Sequence, residues 1–165
     1  VEDTLNDIKA LFNNAKNLQA TIEKSINENS ELKKEVESFR QQKVEELKNK
    51  LVAAAKDENG VKVVTNVLPI PANSAKDLVF KIREAIPEHL VCVIGSIAND
   101  KPMLSVMFSE DMVKEHNLNA GKIIREAAKL IKGGGGGQPH YAQAGGKDKD
   151  GLTAAIEKVV ELCQL

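Results

Sequence analysis

Residues 61–98 run VKVVTNVLPIPANSAKDLVFKIREAIPEHLVCVIGSIA, and this stretch decides the fold. Its first eight residues are rich in β-branched side chains and stop at Pro69, which marks a strand over Val61–Leu68. Pro71 follows, and Asn73 or Ser74 is suited to cap a helix. Ala75, Leu78, Val79, Ile82, Ala85 and Ile86 then recur at helical spacing, and Pro87 ends the run. Leu90–Ala98 is a second strand. Asn99, Asp100 and Lys101 form a short turn, and residues 103–108 (MLSVMF) return as a third strand, completing a hairpin. A strand, a helix and a second strand in one sheet make a crossover unit, for which right-handedness is the rule. The expected fold class is therefore α/β, with a small mixed sheet.

Downstream, Ser109 is placed to cap a short helix reaching about His116. Asn119 is placed to cap another over residues 120–131, with Ile123, Ile124, Ala127, Ala128, Leu130 and Ile131 apolar. Glycines from position 133 stop it. Residues 141–144 read as a short strand. Residues 152–162 form a closing helix that offers Ala155, Ile156, Val159, Val160 and Leu162 to the sheet.

Upstream the composition changes near Asn59-Gly60. All 11 glycines and all five prolines lie after that point. This divides a helical arm (residues 1–58) from a globular domain (residues 59–165). Residues 3–56 read as one long helix. With Ile8 at heptad position a, Ala15, Ile22, Asn29 and Val36 also fall at a, and Leu11, Leu18, Leu32 and Phe39 fall at d. That is a coiled-coil-like seam with polar interruptions at Asn29 and Ser25. At 1.5 Å per residue such a helix is ~80 Å long, and a domain of about 100 residues has a radius of only about 13 Å. The arm therefore needs a partner: a second copy, a helix from preceding chain, or its own other half after a break. Residues 27–30 are the weakest stretch for such a break.

The net charge of -1 excludes a globally basic nucleic-acid binder. Residues 114–149 are locally basic, with seven Lys or Arg against three acids. Cys92 and Cys163 form no Cys-x-x-Cys, and Cys92 lies in an apolar run, as a buried small residue does. This suits a reducing compartment and a cytoplasmic location. No stretch is long and apolar enough to cross a bilayer, so no membrane partner is expected. The first residue, Val1, reads as the start of a cut-out or processed chain.

The most unusual segment is residues 133–146, GGGGGQPHYAQAGG. Ordering five consecutive glycines opposes folding more than ordering any other run. One reading is access: a backbone without Cβ atoms approaches another polymer closely and turns its amides on an anion, with Lys129, Lys132, Lys147 and Lys149 flanking it. The other is a flexible linker between two helices.

Gly134, Gly135, Gly136, Gly137, Pro139, Ala142, Gln143, Ala144, Gly145 and Gly146, followed by one closing helix, resemble the terminal motif of alanyl-tRNA synthetases. That module, the DHHA1 type, is shared with DHH-type phosphoesterases as their second domain. The resemblance covers residues 103–165 closely and the rest loosely. It implies a C-terminal domain docking on the outer corner of tRNA(Ala), joined through the helical arm to the rest of the synthetase chain, with a homodimer through the arm in some members. The nucleic-acid contacts it implies are Lys122, Arg125, Lys129, Lys132, Gly133, Gly134, Gly135, Gly136, Gly137, Gln143, Gly145 and Gly146. It also implies ATP, magnesium and zinc for the parent enzyme, with none of them held by this piece.

No catalytic motif stands against that implication. No Walker loop, dinucleotide fingerprint, Gly-x-Ser-x-Gly or Asp-His-His occurs. His89, His116 and His140 are scattered and lack the short spacing of a zinc site. A surface histidine and a helix-packed thiol are the plain readings of His140 and Cys163. Tyr141, the only tyrosine, is better suited to packing than to base stacking. Two alternatives remain open: an oligomerisation module built on the heptads, and the substrate domain of a nucleotide phosphoesterase.

Overall fold

In the computed structural model, which describes all 165 residues, two tight turns set the register of the sheet. The chain falls into two units, residues 1–42 and 43–165. In the second, β1 (Lys56–Glu58) turns at Asn59-Gly60 into β2 (Val61–Leu68), with Glu58 opposite Val61. Both turn residues are left-handed (φ 55° and 87°), as a two-residue hairpin of the mirror-image kind requires. Asp57 Oδ1 accepts from Gly60 N–H at 2.9 Å and fixes the turn. The composition change at residue 59 is thus a hairpin inside the sheet. The second unit reaches back to Lys43, because Val44 and Leu51 are buried in its core. β1 escapes a hydrophobicity reading because Lys56, Asp57 and Glu58 are all exposed, as edge strands often are.

β2 leads into α3 (Ala72–Ala85) and then β3 (Leu90–Ala98), which lies parallel to β2 with Leu68 opposite Ser96. A second two-residue turn, Asn99-Asp100 (φ 53° and 60°), joins β3 to β4 (Lys101–Phe108). α4 (Glu110–Glu115), α5 (Ala120–Ala128), β5 (Gly134–Gly137), β6 (Tyr141–Gly145) and α6 (Leu152–Cys163) complete the domain. The six strands are ordered β1-β2-β3-β4-β6-β5.

Alternation along the strands feeds two cores. Val91, Val93, Leu104, Val106, Phe108, Ala142 and Ala144 pack against Ile124, Ala127 and Ala128 of α5 and Leu152, Ala155 and Val159 of α6. Leu90, Cys92, Ile94 and Met107 turn to the other face, against Leu78, Val79 and Ile82 of α3 with Val44 and Leu51. β3 is buried on both sides, which is why its first five residues, Leu90–Ile94, read as an unbroken apolar run.

Several expected boundaries move. Pro71 occupies the cap position of α3, and neither Asn73 nor Ser74 caps it; Asn73 Oδ1 accepts from Ser74 N–H instead. Asn119 does cap α5, its Oδ1 accepting from Lys122 N–H at 3.1 Å. That helix is α-helical only to Ala128 and tightens to a 3-10 turn over Lys129–Ile131. Leu130 is consequently exposed.

In the first unit, α1 (Glu2–Leu11) and α2, which begins at Leu18 and runs to Ala53, replace the single helix expected over residues 3–56. The break lies at residues 12–17, not at residues 27–30. Asn13 and Asn14 are both left-handed (φ 55° and 52°), a conformation asparagine tolerates better than most residues. Asn17 Oδ1 then accepts from Ala20 N–H and restarts the helix. Residues 27–30 stay helical because elongating a formed helix is far easier than restarting one. Ile26, Leu32, Val36 and Phe39 are exposed along α2.

Candidate nucleic-acid interface

β5 is the outermost strand and pairs only with β6, in the register Gly134↔Gly145, Gly135↔Ala144, Gly136↔Gln143 and Gly137↔Ala142. α5 packs against it, on the sheet face that carries Ala142 and Ala144. Ala120 N–H donates to Pro139 O at 2.9 Å at one end, and Gly133 N–H donates to Ala128 O at 3.0 Å at the other. The glycine run is therefore an ordered strand, not a linker. Its amides do not converge as a cradle, because successive strand N–H groups point to opposite sides.

The glycines divide by position. A Cβ on Gly135 would overlap Gln143 O and lie 2.5 Å from Ala144 Cα. One on Gly137 would overlap Tyr141 O and lie 2.6 Å from Ala142 Cα, and one on Gly133 would overlap Gly145 O. These three are glycine because the strand is pressed against β6. A Cβ on Gly134 would meet nothing within 4 Å, and one on Gly136 would meet only the Arg125 guanidinium, at 3.8 Å. Packing does not require glycine at 134 or 136.

Cationic side chains surround this strip. Lys122 and Arg125 are exposed on α5 and Lys129 on the 3-10 turn that follows it, and Lys132 comes next in a left-handed conformation (φ 53°). Lys129 is held by Glu126 at 3.0 Å. Lys101, Lys132 and Lys147 rim a shallow cleft of about 560 Å³ whose remaining walls are Pro102, Met103, Gly133, Gly145 and Gly146. None of these three lysines has a carboxylate partner, whereas Lys149 pairs with Asp100 at 3.0 Å and its ammonium is pushed up by that contact. Lys101 escapes sequence reading because only the pairing of Met103 with Gly145 brings it to the glycines.

Gln143 lies apart from α5. Its Nε2 donates to Ser105 Oγ at 3.3 Å and to Ala72 O at 3.4 Å, on the α3 side of the sheet. Its amide is occupied by the fold. Tyr141 packs its ring on Phe80 with centroids 5.1 Å apart. Burial pushes the Cys163 thiol up to about 12 and Cys92 well above the usual thiol range, so neither is a ready thiolate. No three His, Cys, Asp or Glu side chains gather as a metal site.

A mixed sheet closed by a glycine edge strand, with one helix before and one after it, defines the class: the chain belongs to the DHHA1 domain family, whose model matches residues 60–165. Within it, the resemblance to the C-terminal region of alanyl-tRNA synthetases is borne out. The chain is 51% identical over 162 residues to the alanine–tRNA ligase of Bacteroides fragilis, covering 98% of this chain and 18% of that enzyme's length. The crystal structure of the C-Ala domain from Aquifex aeolicus alanyl-tRNA synthetase superposes with a TM-score of 0.60 at 26% identity, covering 67% of this chain and 98% of that one. RecJ from Thermus thermophilus superposes over 89% of this chain and 20% of its own, with a TM-score of 0.50 at 17% identity, a likeness of fold alone.

Proposed function

We propose that this chain is the tRNA-holding C-terminal part of an alanine–tRNA ligase, laying the β5 edge against the outer corner of tRNA(Ala). The observation that carries this is the pair Gly134 and Gly136. Glycine inside a strand weakens it by about 0.5–1 kcal/mol relative to alanine. The fold has room for a side chain at both positions. A flat strip left bare without structural need, beside Arg125 and the unpaired Lys101, Lys132 and Lys147, suits a large rigid polyanion. Folded RNA offers a wide, shallow minor groove read by shape and phosphate. Lys122 on α5 and Lys129 on the 3-10 turn after it extend the cationic side.

The near-neutral net charge limits what the domain achieves alone. The rest of a synthetase chain then raises its effective concentration on the tRNA. ATP, magnesium and zinc serve that remainder, and the setting is cytoplasmic. The bare stripe Ile26, Leu32, Val36 and Phe39 supports pairing of the arm with a second helix, and a homodimer is the simplest form. Sedimentation of the Val36→Asp/Phe39→Asp variant tests that part; a wild-type chain monomeric at high concentration refutes it.

Binding of tRNA(Ala) and of a plain RNA duplex, titrated against salt, tests the main proposal. Log affinity should fall linearly with log salt, by about 0.7–0.9 per phosphate contact. Lys132→Ala/Lys147→Ala should flatten that slope by one to two contacts' worth, roughly 0.7–1.8. Gly134→Val/Gly136→Val should weaken binding at an unchanged slope. Equal, weak binding of tRNA and duplex by the wild type, or full binding by the valine variant, overturns the proposal.

A further inference from the structure

A second cleft, of about 650 Å³, opens at the other end of the β5–β6 hairpin. Arg83, Glu84 and Pro87 border it from the end of α3, Glu110, Val113 and Lys114 from α4, and Pro139 and His140 from the turn between β5 and β6. Met103 pairs with Gly145 and Met107 with Tyr141, so the lysine-rimmed cleft and this one sit at opposite ends of β6. Four strand steps separate them, roughly 13 Å.

Arg83 is held in place there. Its guanidinium lies 5.7 Å over the Phe80 ring, and Phe80 in turn packs on Tyr141. It has no carboxylate within ion-pair distance. Lys114 pairs with Glu110 at 2.9 Å and reaches the same opening. The walls thus combine flat apolar surface (Pro87, Val113, Pro139), two planar groups able to stack (Arg83, His140), carboxylates that accept from amino groups (Glu84, Glu110) and ammonium or guanidinium groups for a phosphate. Those are the separate needs of one nucleotide, and the volume lies within the range of small-molecule sites, about 300–1,000 Å³.

We propose that this cleft takes one unstacked, amino-bearing nucleotide of the RNA lying along β5, its base stacked between Arg83 and His140 and its phosphate on Lys114. The inference rests on the reading of β5 as an RNA surface and adds a second subsite to it. Unpaired bases are the parts of an RNA that can be splayed out, stacked and read on their edges. The subsite would therefore distinguish a folded tRNA, which has such bases, from a duplex, which has none.

The test measures binding of tRNA(Ala) and of a fully paired RNA duplex to the wild-type chain, His140→Ala, Arg83→Gln and Lys132→Ala/Lys147→Ala. His140 serves the fold through its backbone carbonyl, which accepts from Phe108 N–H at 2.8 Å, so His140→Ala should fold and decides the matter if Arg83→Gln does not. The expected result is about a tenfold loss on tRNA for His140→Ala and Arg83→Gln, the scale of one stacked base, with duplex binding unchanged. If both bind tRNA like the wild type while Lys132→Ala/Lys147→Ala still weakens both RNAs, the subsite is refuted and the RNA surface stands. If they weaken duplex and tRNA equally, the cleft reads phosphate alone and the inference is overturned. If the wild type does not favour tRNA, both fall together.

Discussion

Adjacent glycines of one strand should respond to the same substitution with opposite signs. In Gly135→Ala the new methyl overlaps Gln143 O and lies 2.5 Å and 2.6 Å from Ala144 Cα and Cβ. None of these is the far end of a flexible side chain, so relief requires moving β5 off β6. Overpacking of this kind destabilises by about 1–3 kcal/mol, and backbone obstacles place this case at the upper end. In Gly134→Ala the methyl meets nothing within 4 Å, and φ is not in the left-handed range. The loss of unfolded-state freedom then stabilises by about 0.4–1 kcal/mol. The two variants should differ by ~2–4 kcal/mol, close to 10 °C in melting temperature at roughly 2–4 °C per kcal/mol. Tyr141 is the only tyrosine and there is no tryptophan, so intrinsic fluorescence in urea reports from β6, beside the altered strand. Equal destabilisation at both positions, or at neither, would refute the division of the run into glycines fixed by packing and glycines free of it.

Gln143→Ala should weaken the fold more than RNA binding: it leaves Ser105 Oγ, which is buried, without that donor, a loss of about 1 kcal/mol in urea melts, while the tRNA salt slope stays unchanged. Asn119→Ala should remove the cap of α5 and lower stability by about 1 kcal/mol, with faster amide exchange confined to the first turn of that helix. Burial raises the Asp111 carboxyl, but the Ser109 hydroxyl and the His89 amide outweigh it and hold it below the usual carboxylate range. A lowered folded value adds stability above the unfolded value near 3.8 and loses it as pH falls through the folded one. The wild-type urea midpoint should therefore drop below about pH 4, and Asp111→Asn should flatten that drop.

Much of the globular part is legible in the chain because local pattern carries it. The β-branched run Val61–Leu68, the proline-bounded helix, the mostly apolar strand Leu90–Ala98 and the Asn119 cap each act over a few residues. The arm was legible as helix but not in its break, since side-by-side left-handed asparagines leave a weaker trace than a proline does. The family was legible in the glycine word itself.

Which of those glycines the fold needs was decided only when β5 paired with β6, since spacing along a chain says nothing about distance to a neighbouring strand. The pairing of β6 with β4 set Gln143 beside Ser105, on the α3 side, and carried Lys101 to Lys132 and Lys147. Sequence by itself determined the elements that carry a local apolar pattern and the bare backbone; tertiary structure alone determined which side chains meet, because strand register joins residues that no local interaction relates.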